Sequence, residues 1–158
     1  MHPELVSYTS ETEYLEHYKR VYCRNKILAF DGIRVFFKPD KFWHAFYESN
    51  PSTGRKAAFS SDRASRIDWI KATLENPEAD CYKGWHKNEG ILNHRRASIA
   101  FDDFVVIIEF SLWNDEQLKG NFVTAYLANR SIDKIRNAPT WDQGDCINYL
   151  KSKKKSDR

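Results

Sequence analysis

A chain of 158 residues with 41% hydrophobic and 30% charged residues has the length and balance of one globular domain, which excludes a disordered polymer. The net charge of +3 is unevenly spread: the last eight residues hold five basic side chains against Asp157, a net of +4, and leave −1 for residues 1–150. Such a domain is not basic enough for a broad nucleic-acid footprint, although a small site gripping one or two phosphates stays open. Cys23, Cys81 and Cys146 lie far apart without a CxxC, which suggests reduced thiols. The polar start Met1-His2-Pro3-Glu4 predicts no secretory leader, and with the cysteines it predicts a cytoplasmic protein.

In chain order, Tyr14, Leu15, Tyr18, Val21 and Tyr22 recur at helical spacing behind Thr9 and Ser10, so a helix is expected over 9–23. Asp31-Gly32 between two apolar runs predicts a hairpin, Ile27–Phe30 with Ile33–Phe37. Pro39-Asp40 opens a short helix, Lys41–Glu48, and 50–60 reads as a polar loop. Ser60, Ser61 or Asp62 caps a helix that runs to Glu75 and stops at Asn76-Pro77. Strands follow at Cys81–His86, Ala97–Phe101, Phe104–Leu112 and Phe122–Ala128, with a turn region at Asn114–Gly120 and a short helix at Ile132–Asn137. Helices first and an antiparallel meander second make an α+β domain over 1–150, and the lysine-rich end, 151–158, reads as a loose tail.

Nucleotide-binding glycine motifs, HExxH and paired HxH are missing, so no metal or cofactor is expected. His2, His17, His86 and His94 are scattered. His44 stands apart, because Phe42, Ala45 and Phe46 share one helix face and His44 points away from it. It is either a solvated or capping histidine, or a general base or acid that titrates near neutral pH. Arg63 heads the apolar stripe Ile67, Ile70, Leu74 at a helix start, where it snorkels out to solvent, pairs with an acid, or lines a cleft and meets an anion. Arg66 is expected to face solvent. Strand alternation places Phe122, Thr124 and Tyr126 on one face and Val123, Ala125 and Leu127 on the core face. Thr124 and Tyr126 then offer a hydroxyl and a phenol side by side, either as phosphate donors or through β-propensity alone. Arg66, Arg95 and Arg96 are candidate RNA-backbone contacts, although a charged loop pair is the commoner explanation of Arg95-Arg96. Trp43, Trp69, Trp85 and Trp113 are candidate base-stacking platforms, though most aromatics in a small domain serve the core.

The order of these pieces resembles the barnase–EndoU–colicin–RelE-like superfamily of small ribonucleases, in particular its phage and polymorphic-toxin branches. The resemblance rests on His44, then Phe59, then the capped helix Arg63-Ala64-Ser65-Arg66-Ile67-Asp68-Trp69-Ile70 ending at Leu74-Glu75-Asn76-Pro77, and last Val123-Thr124-Ala125-Tyr126. It covers roughly 36–128. Leu127 stands where the family often has proline, and the glycine before its central strands is Gly84 or Gly90 here. The resemblance implies one or two helices on a four- to five-stranded antiparallel sheet. It also implies metal-independent endoribonuclease activity, by attack of a 2′-hydroxyl on the adjacent phosphate. His44 would be general base or acid, Thr124 and Tyr126 would hold the scissile phosphate or move a proton, and Arg63 would stabilise its charge. RNA would be the substrate, with an antitoxin or immunity protein as partner. The alternative is a non-catalytic RNA- or protein-binding module on the same scaffold.

Overall fold

The structure is a computed structural model that describes residues 2–29, 31–49, 53, 56–85 and 92–156. Its first helix, α1 (Glu11–Tyr18), continues as one π-helical stretch over Lys19–Cys23. Ser10 caps it by accepting a hydrogen bond from the Glu13 amide. The chain then forms the expected hairpin, β1 (Ile27–Leu28) and β2 (Arg34–Phe36), around Gly32 at φ 84°. The Asp31 side chain accepts from the Ile33 amide, the local bond that makes Asp-Gly a turn pair.

The expected helix Lys41–Glu48 is shorter than its pattern. A 3₁₀ turn at Pro39–Lys41 leads into α2 (Phe42–Ala45), and Tyr47–Ser49 is a strand, β3. It pairs with β4 (Lys56–Phe59), which occupies the end of the predicted polar loop. Pairing across the loop satisfies backbone groups that a further helical turn would otherwise have taken, a choice that local pattern does not reveal. The long capped helix is two pieces, α3 (Ser61–Ala64) and α4 (Ile67–Glu75), with Ser60 accepting from the Arg63 amide. The break falls at Arg66, whose ψ of 19° leaves the helical region.

The β-rich half contains β5 (Asp80–Trp85), β6 (Leu92–Phe101), β7 (Phe104–Leu112) and β8 (Leu118–Leu127). With the first hairpin they make a six-stranded sheet in the order β1-β2-β8-β7-β6-β5. The protein is α+β. The expectation of a four- to five-stranded antiparallel sheet is corrected, because β2 joins β8 in parallel through Val35–Gly120 and Phe36–Asn121. Gly120 permits that junction: a Cβ there would lie 2.8 Å from Ile108 Cγ2 and 3.3 Å from Val35 Cγ2.

One sheet face carries the main core. Ala97, Ile99, Val106, Ile108, Phe122 and Ala125 pack there against Tyr14, Tyr18 and Tyr22 of the first helix and Ile67, Ile70 and Leu74 of α4. His17, scattered in sequence, is a buried tie between these helices: its ring lies 2.8 Å from the Tyr8 hydroxyl and 2.8 Å from Asp68. The other face holds a smaller cluster of Ala100, Val105, Ile107, Ala128 and Ile135, part of it under α5 (Ile132–Arg136).

The loose tail is also corrected. Residues Gln143–Ser156 form a helix, α6, anchored on the sheet by buried Cys146 and Leu150. Its apolar residues are only four (Cys146, Ile147, Tyr149 and Leu150), and they stand among polar ones, so local hydropathy gives little warning of the helix. No described helix is long and apolar enough to cross a membrane.

Candidate active site

A register shift in β8 shapes the site. Ile107 pairs with Thr124 and Ile108 with Phe122, so Val123 is an extra residue, a β-bulge. Before the bulge the even positions Leu118 and Phe122 enter the main core; after it the odd positions Ala125 and Leu127 do. Thr124 and Tyr126 are thereby turned to the smaller face beside Ile107 and Val105. Strict alternation misplaced two residues: Phe122 does not share their face, and Val123 packs on the smaller cluster.

A cavity of about 560 Å³ opens on that side. His44, Arg63, Thr124 and Tyr126 all line it, together with Arg66 and Arg96. Its apolar wall includes Phe46, Ile70, Phe104 and Ile107, and its carboxylates are Glu48 and Asp62. Two of the remaining RNA-contact candidates are elsewhere. Trp43 is 44% exposed, sits edge-on to Phe42 and does not line the cavity. Arg95 also lies outside it and pairs with Glu109 at 3.2 Å.

Each polar wall residue has a local reason for its place. Ser60 caps α3 and also donates to Glu48, which fixes the β3 carboxylate beside the helix start. From the first turn of α3, Arg63 reaches the part of β8 beyond the β2 junction. It donates to the Ala125 carbonyl at 3.1 Å, the Thr124 hydroxyl at 3.4 Å and the Tyr47 carbonyl at 3.3 Å. Burial pulls its pKa down, and the charges of Glu48 and Tyr126 push it back up. Burial raises the Tyr126 phenol, while a hydrogen bond with Ser131 and the Arg63 charge oppose that rise. Tyr126 is therefore a protonated donor at neutral pH.

Arg66 was expected in solvent, and the break between α3 and α4 brings it to the cavity instead. It is held by the Asp62 carbonyl at 2.9 Å and its carboxylate at 3.1 Å, and its guanidinium lies 5.2 Å from the Trp69 ring. Arg96 is fixed by Glu109 at 2.8 Å. Its side chain runs over Gly84, where a Cβ would lie 2.6 Å from Arg96 Cγ. The Nε groups of Arg63, Arg66 and Arg96 are buried and have no hydrogen-bond partner. Unpaired buried donors are costly, and three of them stand in arginines that line one cavity.

No family model, no curated relative and no solved structure matches the chain.

The site's chemistry is therefore read from its own residues. Sequence reasoning missed Glu48 and Asp62, because it treated the first as a helix end and the second only as a cap. The signal for Glu48 was present in the β-favouring Phe46-Tyr47 ahead of it, masked by the helical spacing of Phe42, Ala45 and Phe46. Among the described residues no group of three or more His, Cys, Asp or Glu side chains is placed to hold a metal.

Proposed function

We propose that the cavity is the active site of a metal-independent endoribonuclease of the toxin-like or phage-associated kind. The observation that carries this reading is the gathering of His44, Arg63, Thr124 and Tyr126 around one cavity that Arg66 and Arg96 also line. Cleavage of an RNA phosphodiester by its own neighbouring hydroxyl needs few parts. A base takes the 2′-hydroxyl proton, the freed oxygen attacks phosphorus, and the bond to the 5′-oxygen breaks as that oxygen receives a proton. The products are a 2′,3′-cyclic phosphate and a 5′-hydroxyl.

His44 serves one of the two proton transfers, since imidazole both gives and takes a proton near neutral pH. Glu48, on the same cavity wall, is a second group able to carry one. Arg63 and Tyr126 donate to the phosphate oxygens as negative charge builds on them, and their buried setting strengthens that interaction relative to water. Thr124 adds a third donor. Arg66 and Arg96 hold neighbouring phosphates.

The test is incubation of the purified chain with total RNA in EDTA, beside His44→Ala and Arg63→Ala. Cleavage that survives the chelator and leaves cyclic phosphate ends is expected. A rate loss of about 10²-fold or more is expected in His44→Ala. RNA bound but left intact by the parent chain would replace this reading with the non-catalytic RNA-binding module. RNA neither bound nor cut would leave the protein-binding module.

A further inference from the structure

The clustered charge of the chain lies outside the cavity, on α6. Between Cys146 and Ser156 this helix has no acidic residue, and Lys151, Lys153 and Lys154 follow one another along it. Solvated helix faces ordinarily interleave the two signs, and like charges three or four apart repel. The helix dipole favours cations in the last turn, yet Lys151 precedes that turn. Among the described residues Lys151 and Lys154 make no ion pair, and Lys153 and Lys154 are exposed.

The array is held in place and leads back to the site. Cys146 and Leu150 fix the helix on the sheet, and the Tyr149 ring carries Lys153 at 5.6 Å. Tyr149 also meets the His94 ring at 5.6 Å, and the His94 carbonyl accepts from Trp141 Nε1 at 3.1 Å. His94 begins the run His94-Arg95-Arg96, which bulges out of the β5–β6 ladder between the pairs Lys83–Ala97 and Gly84–Asn93. The bulge brings both arginines to one carboxylate, Glu109, at 3.2 and 2.8 Å. Arg96 then lines the cavity. Lys153, Tyr149, His94, Arg95 and Arg96 thus connect α6 to the cavity wall, two rings between cations, a composition that suits a single strand with charged backbone and stackable bases.

We propose that α6 and the His94–Arg96 bulge form a second contact surface for single-stranded RNA, guiding the strand that enters the cavity. The proposal rests on the ribonuclease reading for its choice of polyanion. Its test separates the two. Binding is measured by fluorescence anisotropy with an uncleavable, 2′-O-methylated single strand long enough to span from the cavity to Lys154, over a series of salt concentrations. The full chain is compared with the triple variant Lys151→Ala/Lys153→Ala/Lys154→Ala and with its charge-keeping counterpart, in which the same lysines become arginine. Alanine is a strong helix former, and circular dichroism checks that α6 remains.

The alanine variant is expected to bind about tenfold more weakly near physiological salt, and its slope of log affinity against log salt is expected to flatten by roughly 2, three single-strand phosphate contacts having gone. The arginine variant is expected to keep both. Equal affinity and slope in the parent and alanine chains overturn the proposal. So does unchanged RNA binding together with lost binding to phosphatidylserine vesicles, which would assign the lysines to a membrane surface. Cleavage of ordinary RNA by the parent chain is scored separately. Lysine-dependent binding without cleavage keeps this surface and removes the nuclease, and cleavage without lysine dependence does the reverse.

Discussion

Arg63 spends three hydrogen bonds on holding the cavity wall, to Tyr47, Thr124 and Ala125, and keeps its Nε–H without a partner. Its planar fork is what allows the two uses at once, so lysine is not an equivalent. In the ribonuclease reading, Arg63→Lys is expected to lower kcat/KM by about 10²-fold, the loss typical of one donor to a developing charge. The partner donor, Tyr126, gives a pH test. Burial raises its pKa, so it stays protonated past the ordinary tyrosine value of about 10. A kcat profile is expected to show no fall from Tyr126 below that pH. Tyr126→Phe is expected to reduce kcat about tenfold or more across the neutral range, with a smaller change in KM. A variant with wild-type kcat would remove the phenol from the mechanism.

At the scale of elements, the site depends on two irregularities of the sheet. The Val123 bulge turns Thr124 and Tyr126 from the core face to the cavity, because a slip of one residue exchanges the faces of a strand. Deleting Val123 restores regular alternation. Phe122 then stands next to Thr124, opposite Ile108 and Ile107, so Thr124 and Tyr126 keep the cavity face. In the ribonuclease reading, RNA cleavage is expected to survive the deletion; lost cleavage with an unchanged melting temperature would give the bulge itself a part in the site. The second irregularity lies at Gly84, which leaves room for the Arg96 stem. Gly84→Ala places a Cβ 2.6 Å from Arg96 Cγ and 3.2 Å from its carbonyl carbon. The side chain has to move, at a cost of about 1–3 kcal/mol if the backbone yields with it. Denaturant unfolding measures the cost, and a raised KM for RNA reports the displaced guanidinium.

At the scale of the whole molecule, α1, α4 and the sheet are joined by buried tyrosines whose hydroxyls are all engaged. Tyr18 donates to the Lys38 carbonyl, and Tyr22 donates to the Ile67 carbonyl while accepting from the Lys71 amide. Burial raises both phenols far above their ordinary range. In the unfolded chain they ionise near pH 10. Above that pH the unfolded state binds fewer protons than the folded one, so stability falls as pH rises. Their contribution is therefore complete below about pH 10 and is lost progressively above it. Urea unfolding at a series of alkaline pH values is expected to show this decline, with a shallower slope in Tyr18→Phe. A flat profile would mean that the hydroxyls ionise equally in both states.

The sequence by itself determined the elements whose signals are local. Asp31-Gly32 made a hairpin, Ser60 capped a helix, and the apolar stripe Ile67, Ile70, Leu74 found the core, because turn chemistry, capping and periodicity act within a few residues. His44 and Arg63 were visible as residues out of keeping with their surroundings, and both line the cavity. Only the tertiary structure decided what depends on partners distant in sequence. Tyr47–Ser49 became a strand because Lys56–Phe59 lay opposite, and Arg66 left solvent because the helix broke beside it. The parallel addition of β2 took the sheet to six strands, and packing on β6 and β7 ordered the lysine-rich end as a helix. The bulge at Val123 belongs to the same class. A register is a relation between strands, and no single strand carries it.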